Sequence, residues 1–504
     1  LIMECFPDIE SFKRLYEAGK PQVVYTRLVA DLETPVSAYM KLADGRADAF
    51  LFESVEGGAI RGRYSFVGMK PDLIWRCFGD KAQVNRRALI DPDAFEAHSL
   101  PTLDSLRALH KECEMDMPDS LPPMAAGLVG YMGYDCVRLV EPFPDENNDV
   151  LQVPDGIFIR PTLVAVFDSI EDIVTFVTPV RPDPEIGATA AYEKALERLS
   201  EMRDSLERPL PYATAGRSAQ DAGIEPVANM TPQAYQAMVA KAKEYILAGD
   251  IFQVVLSQRF EMPFDLPPFS LYRALRRTNP SPFLFFMAFR RFAIVGSSPE
   301  ILVRLRDGKV TIRPIAGTRP RGADRAEDQR MEQDLLGDPK ECAEHLMLLD
   351  LGRNDVGRVS KIGTIDVTDK FIVERYSHVM HIVSNVEGQI KDGVDALTAL
   401  MAGFPAGTVS GAPKVRAMQI IEELEPDRRG IYAGCIGYFG ADGSMDTCIV
   451  LRTAVVKDGK MIVQAGAGIV ADSDPASEHQ ECVNKAKALV RATQEAVRFA
   501  SGRN

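Results

Sequence analysis

The chain has 504 residues, 46% hydrophobic and 26% charged, a globular composition that exceeds one growing core and predicts one large composite domain or about two to three domains. Its 72 acidic residues outnumber 58 basic ones for a formal charge of −14, and no basic run stands out, which argues against nucleic acid and anionic membranes as partners. Eight cysteines lie in apolar segments without CxxC spacing, and neither a secretory leader nor an apolar run of about 18 residues is present, so a soluble cytoplasmic protein with free thiols is expected; Leu1 suggests a start further upstream.

In chain order, a first part at 1–207 reads as β-rich with some helix. AFLFESVEGGAIRGRYSFVG (49–68) and GLVGYMGYD (127–135) set short apolar runs around glycine turns. A polar helix is predicted at about 190–207, followed by RPLPYATAGRSAQDAGIEP, whose composition suits a linker over 208–230. The second part, 231–504, opens with a helix that has Thr231 as N-cap, Pro232 at its first position and Tyr235, Val239, Ala242 and Ile246 on one face, ending at Gly249. IFQVVLSQRF then reads as a strand. Asp-Gly pairs at 307–308, 442–443 and 458–459 stand between apolar runs, the local signal of antiparallel hairpins, and helices are expected around 328–351, 411–425 and 476–499. The predicted class is α+β, with antiparallel sheets packed as a sandwich and flanked by helices.

Several stretches carry chemistry. PIAGTRPRG (314–322), with Arg313 before it, looks built to receive an anion, yet places a methyl group, Ala316, at its centre. Glu341 and Glu344, and again Glu478 and Glu481, are spaced i, i+3 on predicted helices, so each pair could offer hard oxygen ligands to magnesium; the same spacing is common on solvated helix surfaces. VQAGAGIV (463–470) lets backbone N–H groups approach an anion at Gly466 and Gly468, or forms a plain bulge, and FPAGTVSGAPK (404–414) resembles an anion-binding helix start. His381 sits in a strand-like apolar run. With no GxSxG elbow and no nucleotide-binding frame, these residues alone reach a metal-assisted enzyme acting on a small anionic substrate.

The ordered series PIAGTRPRG, EHLMLLDLGRNDVGRVS, VMHIVSNVEG, FPAGTVSGAPKVRAMQIIEELEP, RRGIYAGCIGYF and VQAGAGIVADSDPASEHQECVNKA resembles the chorismate-utilising enzymes, and within them the anthranilate-forming large subunits. The resemblance implies a Mg2+ ion on Glu344 and Glu481 with Glu341 and Glu478 in its second shell. It implies that Tyr432, Arg452, Lys485 and the Gly466–Ala467–Gly468 backbone bind the substrate with Gly317 and Thr318, and that Glu300, His381 and Thr408 are catalytic. Glu300 would protonate the departing C4 hydroxyl, which requires a pKa raised by burial, and His381 would serve the loss of pyruvate.

Within that family, water-using members carry a lysine just before VVLS, where this chain has Gln253, and members with a covalent lysine read PIKGT, where this chain has Ala316. Ammonia is the nucleophile that remains, and the resemblance implies that a separate glutamine amidotransferase subunit supplies it. LFES (51–54) and NPSPFLFFM (279–287) resemble elements that bind tryptophan as feedback inhibitor, indicating Glu53, Ser54, Pro282, Phe283 and Leu284; Phe283 and Leu284 depart from the commoner Tyr-Met. Two alternatives stand beside this reading: an enzyme that stops at 2-amino-2-deoxyisochorismate, and an inactive tryptophan-sensing subunit.

Overall fold

Two long strands, Ile60–Phe78 and Gly156–Asp168, pair with each other and organise the chain. They belong to a computed structural model that describes residues 3–56, 60–142, 144–211, 225–376 and 379–500. From Ile60–Phe78 one arm of sheet runs through Ala49–Glu56, Phe283–Ala288, Phe292–Ser298, Thr453–Lys457 and Lys460–Ile469 to Gln253–Pro263. From Gly156–Asp168 a second arm runs through Gly127–Met132, Cys435–Gly440, Met445–Ile449, Ile301–Arg306 and Lys309–Ile312 to Val379–Gln389. Every one of these pairings is antiparallel. Each arm combines strands from before and after the expected linker, so the two parts share their sheets.

The arms enclose a core to which both contribute, including Phe50, Tyr131, Phe285, Ile294, Ile436 and Val455. Helices cover the outer faces. Tyr39 on Pro35–Ala43, Leu199 on Ala188–Leu206, Leu271 on Pro268–Thr278 and Leu489 on Pro475–Ala500 close one side, while Leu109 on Thr102–Cys113, Leu349 on Pro339–Val359 and Leu400 on Ala396–Gly403 close the other. Being covered on both faces, Gly127–Met132 and Cys435–Gly440 are buried at every position, which explains their unbroken apolar sequences.

Local chemistry decides the connections. Asp307–Gly308 and Asp458–Gly459 take positive φ at both residues, as a two-residue hairpin turn requires, and Gly443 at φ 83 closes the third hairpin. Thr231 Oγ1 accepts the Ala234 N–H and starts the helix Pro232–Leu247. The helix expected around 328–351 is in fact two, Arg325–Gly337 and Pro339–Val359. Pro339 cannot continue the first, and Asp338 caps the second by accepting the N–H groups of Lys340 and Glu341. Of the linker at 208–230, residues 212–224 lie outside the described residues, while Val227–Ala228 pair with Glu261 and Phe260. All eight cysteines are free, and no described helix is long and apolar enough to cross a membrane.

One buried ion pair joins several of these elements. Arg429 and Glu425 have side chains only 1% and 3% exposed and meet at 2.7 Å. Arg429 also donates to the carbonyls of Val409 and Val255, and Glu425 accepts the Ser257 N–H and hydroxyl. Losing one member strands the other without water. Arg429→Met is therefore expected to lower the unfolding free energy by about 3–5 kcal/mol, read as a shifted urea midpoint.

Candidate active site

The site grows from the ladder between Gln253–Pro263 and Lys460–Ile469, where Val255 lies opposite Gly468 and Ser257 opposite Gly466 without a bulge. The Val255 N–H donates to Ser410 O and the Ser257 N–H to Glu425, so both residues turn their backbone groups away from the neighbouring strand. In an antiparallel ladder their partners do the same. Gly466 and Gly468 thus aim their N–H groups at the outer side, beyond Val463, where pairing with Thr453–Lys457 has ended. A Cβ at Gly466 would stand 2.7 Å from Tyr432 Oη, and one at Gly468 would stand 2.6 Å from Gln253 Nε2, so both glycines make room for those side chains.

Glu300 follows the strand Phe292–Ser298 and is 6% exposed. Burial raises its pKa from 4.5 to about 8, against the opposing Thr408 hydroxyl, the Ile315 N–H and Arg452. Thr408 Oγ1 lies 3.2 Å from both carboxyl oxygens, on a short turn, Gly407–Val409, whose last carbonyl is held by Arg429. Arg452 has its pKa lowered, chiefly by burial, and the acidic groups acting on it are Tyr376 and Glu300, both protonated at neutral pH. Among the described residues no carboxylate pairs with it. A half-buried guanidinium without an ionised partner favours an anionic ligand.

His381 lies on Val379–Gln389, 8% exposed, with Nδ1 2.8 Å from Gly317 O and 3.1 Å from Thr318 Oγ1. A carbonyl oxygen only accepts, so Nδ1 carries the proton and Nε2 keeps a free lone pair. Burial lowers the pKa to about 4, which leaves the imidazole neutral. The tandem Gly317–Thr318 sits on Ile315–Pro320, and Ala316 lies opposite Ile382 with 9% exposure.

Four carboxylates converge from two helices. Burial raises the pKa of Glu344; the Gln253 amide, which donates at 3.0 Å, opposes this, and repulsion from Glu341 and Glu481 adds to it. Glu478 is raised by burial and by Glu481, while the Ser473 hydroxyl opposes. Glu481 meets Lys485 at 2.7 Å, and Lys485 also donates to Gly466 O at 2.9 Å. Hard oxygens that repel one another are the donor set a divalent cation relieves. As the side chains stand, no cluster of three potential ligands is formed among the described residues.

The structure therefore brings together Glu300 with Thr408 and Arg452, His381 with Gly317 and Thr318, and Tyr432 with Gly466. Two expectations change. The arginines of the PIAGTRPRG loop are not free for an anion, because Arg313 pairs with Glu374, Arg319 with Asp334, Asp338 and Glu341, and Arg321 with Asp328. Lys414 at the FPAGTVSGAPK helix start is likewise engaged, pairing with Asp355 at 2.9 Å, while Pro413 leaves the first turn without a side-chain cap. Sequence reasoning missed Tyr376, whose ring lies 5.5 Å from His381, and Arg429, whose i, i+4 spacing to Glu425 was its one visible signal. The five residues expected to bind tryptophan lie together: Ser54 is opposite Phe283 and Glu53 opposite Leu284, just after Pro282. The Glu53 carboxylate is held by Tyr272 Oη at 2.5 Å and by Arg276 at 2.6 and 2.8 Å.

A family model described as chorismate binding enzyme matches residues 61–491. The chain is 59% identical to anthranilate synthase component 1 of Cereibacter sphaeroides, over 97% of this chain and 98% of that protein, and 46% identical to that of Pseudomonas aeruginosa, over 96% and 98%. Among solved structures it is similar to anthranilate synthase component I from Streptococcus pneumoniae, with TM-score 0.75 and 36% identity over 92% of this chain and 99% of that one. The menaquinone-specific isochorismate synthase of Escherichia coli shares the fold, with TM-score 0.69 at 21% identity over 96% and 98%.

The Glu300 shift has a consequence for stability. The folded state keeps a proton that the unfolded chain releases near pH 4.5, so its contribution is complete below that value and is lost progressively as pH rises to about 8. Glu300→Gln should abolish this dependence, and unfolding free energies across pH 5 to 8 should flatten relative to the parent protein.

Proposed function

The chain belongs to the chorismate-binding enzymes, and on that premise we propose that it is the large subunit of an anthranilate synthase, converting chorismate and ammonia to anthranilate and pyruvate in a Mg2+-dependent reaction. The observation that carries this reading is the buried, protonated Glu300 beside Thr408 and the uncompensated Arg452, with Gln253 and Ala316 where other chemistries place lysines.

Arg452 and the outward N–H groups of Gly466 and Gly468 bind the enolpyruvyl carboxylate, with Tyr432 beside them. Gly317 and Thr318 meet the ring. Glu344 and Glu481 would hold Mg2+, with Glu341 and Glu478 in its second shell; when bound, the ion supplies a Lewis acid for the ring carboxylate. The ammonia lone pair bonds to C2, the ring double bonds shift and the C4–O bond breaks. The Glu300 proton leaves with the hydroxyl as water, and the new ammonium group loses a proton to restore the balance. His381 Nε2 then takes the C2 hydrogen as the C–O bond to the enolpyruvyl group breaks; that group gains a proton and leaves as pyruvate while the ring becomes aromatic.

A glutamine amidotransferase subunit supplies the ammonia, and tryptophan acts at Glu53, Ser54, Pro282, Phe283 and Leu284. The ordered contacts of Glu53 with Tyr272 and Arg276 support a built polar pocket there.

Two measurements test the reaction. With chorismate, Mg2+ and ammonium, anthranilate fluorescence and pyruvate should appear together. The rate per free ammonia should fall as pH rises through about 8, because Glu300 loses its proton there. No product, or amino product without pyruvate, would overturn the assignment. Ala316→Lys fills the space beside Gly317, so ammonia-dependent turnover should drop at least about tenfold; an undisturbed rate would show that this position does not select the nucleophile.

A further inference from the structure

Ser384 lies on the same strand as His381, and His345 follows Glu344 on the helix Pro339–Val359; both side chains are fully buried at 0% exposure. Ser384 is a junction of three elements. Its N–H donates to Pro314 O at 3.2 Å, at the head of the loop that carries Gly317 and Thr318. Its Oγ accepts the Phe371 N–H at 3.1 Å and lies 2.7 Å from His345 Nε2. The Phe371 ring packs edge-on against the imidazole at 4.7 Å.

Phe371 also occupies an unusual backbone state. The ladder between Asp366–Arg375 and Val379–Gln389 is irregular between Asp369 and Ile372, and Phe371 sits within that interruption at φ +54. A non-glycine residue persists there only where its surroundings over-determine it. The Ser384 hydroxyl takes the N–H that the ladder leaves free, and the His345 ring blocks the side chain from moving.

An apolar contact would hold the helix on this sheet without the cost of burying a hydroxyl and an imidazole. What the polar contact adds is direction, because a hydrogen bond weakens steeply when its partners slide. We propose that Ser384 and His345 are positioning residues, whose bond fixes where the helix bearing Glu341 and Glu344 crosses the His381 strand. It thereby places those carboxylates against Glu478, Glu481 and the Gly317–His381 pair. The inference rests on the reading that Glu344 helps to hold a divalent cation.

The probe is Mn2+ alone, titrated into the whole chain and followed by its electron-spin resonance, with no substrate present. Ser384→Ala and His345→Phe should weaken Mn2+ binding about 10- to 100-fold, the range seen when groups supporting metal ligands are lost. His345→Gln, which can place an amide near the Nε2 position, should restore affinity towards that of the parent. Thermal unfolding of each variant, with titrations kept well below its midpoint, separates affinity from simple loss of fold. If His345→Phe does not fold, Ser384→Ala carries the test. Unchanged Mn2+ affinity in Ser384→Ala, or failure of His345→Gln to recover any, would overturn the proposal. Glu344→Gln is the control for its premise: if that variant binds Mn2+ as the parent does, the carboxylate reading itself falls, whatever Ser384 does.

Discussion

The Glu425–Arg429 pair is the interaction on which the site depends. Its two charges are cut off from water and satisfied by backbone groups of three residues on two elements: Val255 and Ser257 on the strand facing Gly466 and Gly468, and Val409 on the turn that presents Thr408. The Tyr134 and Tyr432 rings lie 4.8 and 5.5 Å from the guanidinium, so the first and second parts of the chain close over the same charge. Bonds to charged groups are short and directional, and here they lock the ladder register to the position of Thr408, and through it to Glu300. Buried pairs of this kind contribute little net stability compared with apolar packing. What this pair supplies is the alignment of groups far apart in sequence.

Around that anchor the charges are divided in a consistent way. Arginines of the PIAGTRPRG loop are neutralised by neighbouring acids and serve to hold the loop, whereas Arg452 stands half-buried beside groups that keep their protons. Burial drives Glu300 and His381 in opposite directions, the acid towards keeping its proton and the imidazole towards losing it. One environment, poor in water, thus leaves a protonated carboxyl and a neutral imidazole at the same pH, burial outweighing the neighbouring groups that act on each. Glu344 and Glu478, on the two helices, are the counterpart: burial raises both, and repulsion from neighbouring carboxylates adds to the rise.

How much of this was legible in the sequence depended on the range of the interaction. The Thr231–Pro232 helix start and the Asp-Gly turns are written in adjacent residues, and they were read correctly. The break at Asp338–Pro339 was equally local and was overlooked because the apolar periodicity runs through it. Which strands meet was not legible: nothing in AFLFES indicates FLFFMA as its partner, since both are apolar on both faces and periodicity cannot choose among such runs. The site residues were named through ordered motifs that resemble a family. Their physical states, a raised Glu300 and a neutral His381, come from burial that no single motif records. Ser384, within a strand, and Tyr376, just past the end of Asp366–Arg375, were invisible because neither side chain carries a signal of its partner.

The interleaving of the two arms bears on how the chain is made. Gly127–Met132 gains its outer neighbour only when Cys435–Gly440 has been synthesised, and Ala49–Glu56 must wait for Phe283–Ala288. Closing contacts across such stretches of chain is slow, because loop entropy is spent before the strands can pair. Until then the nascent chain presents two unprotected strand edges, both rich in apolar residues, to the ribosome's surroundings, the kind of surface that pairs with other chains. Completion of the sheet and removal of these sticky edges are therefore the same late event, and the first half of this protein is fully paired only once most of the second has been made.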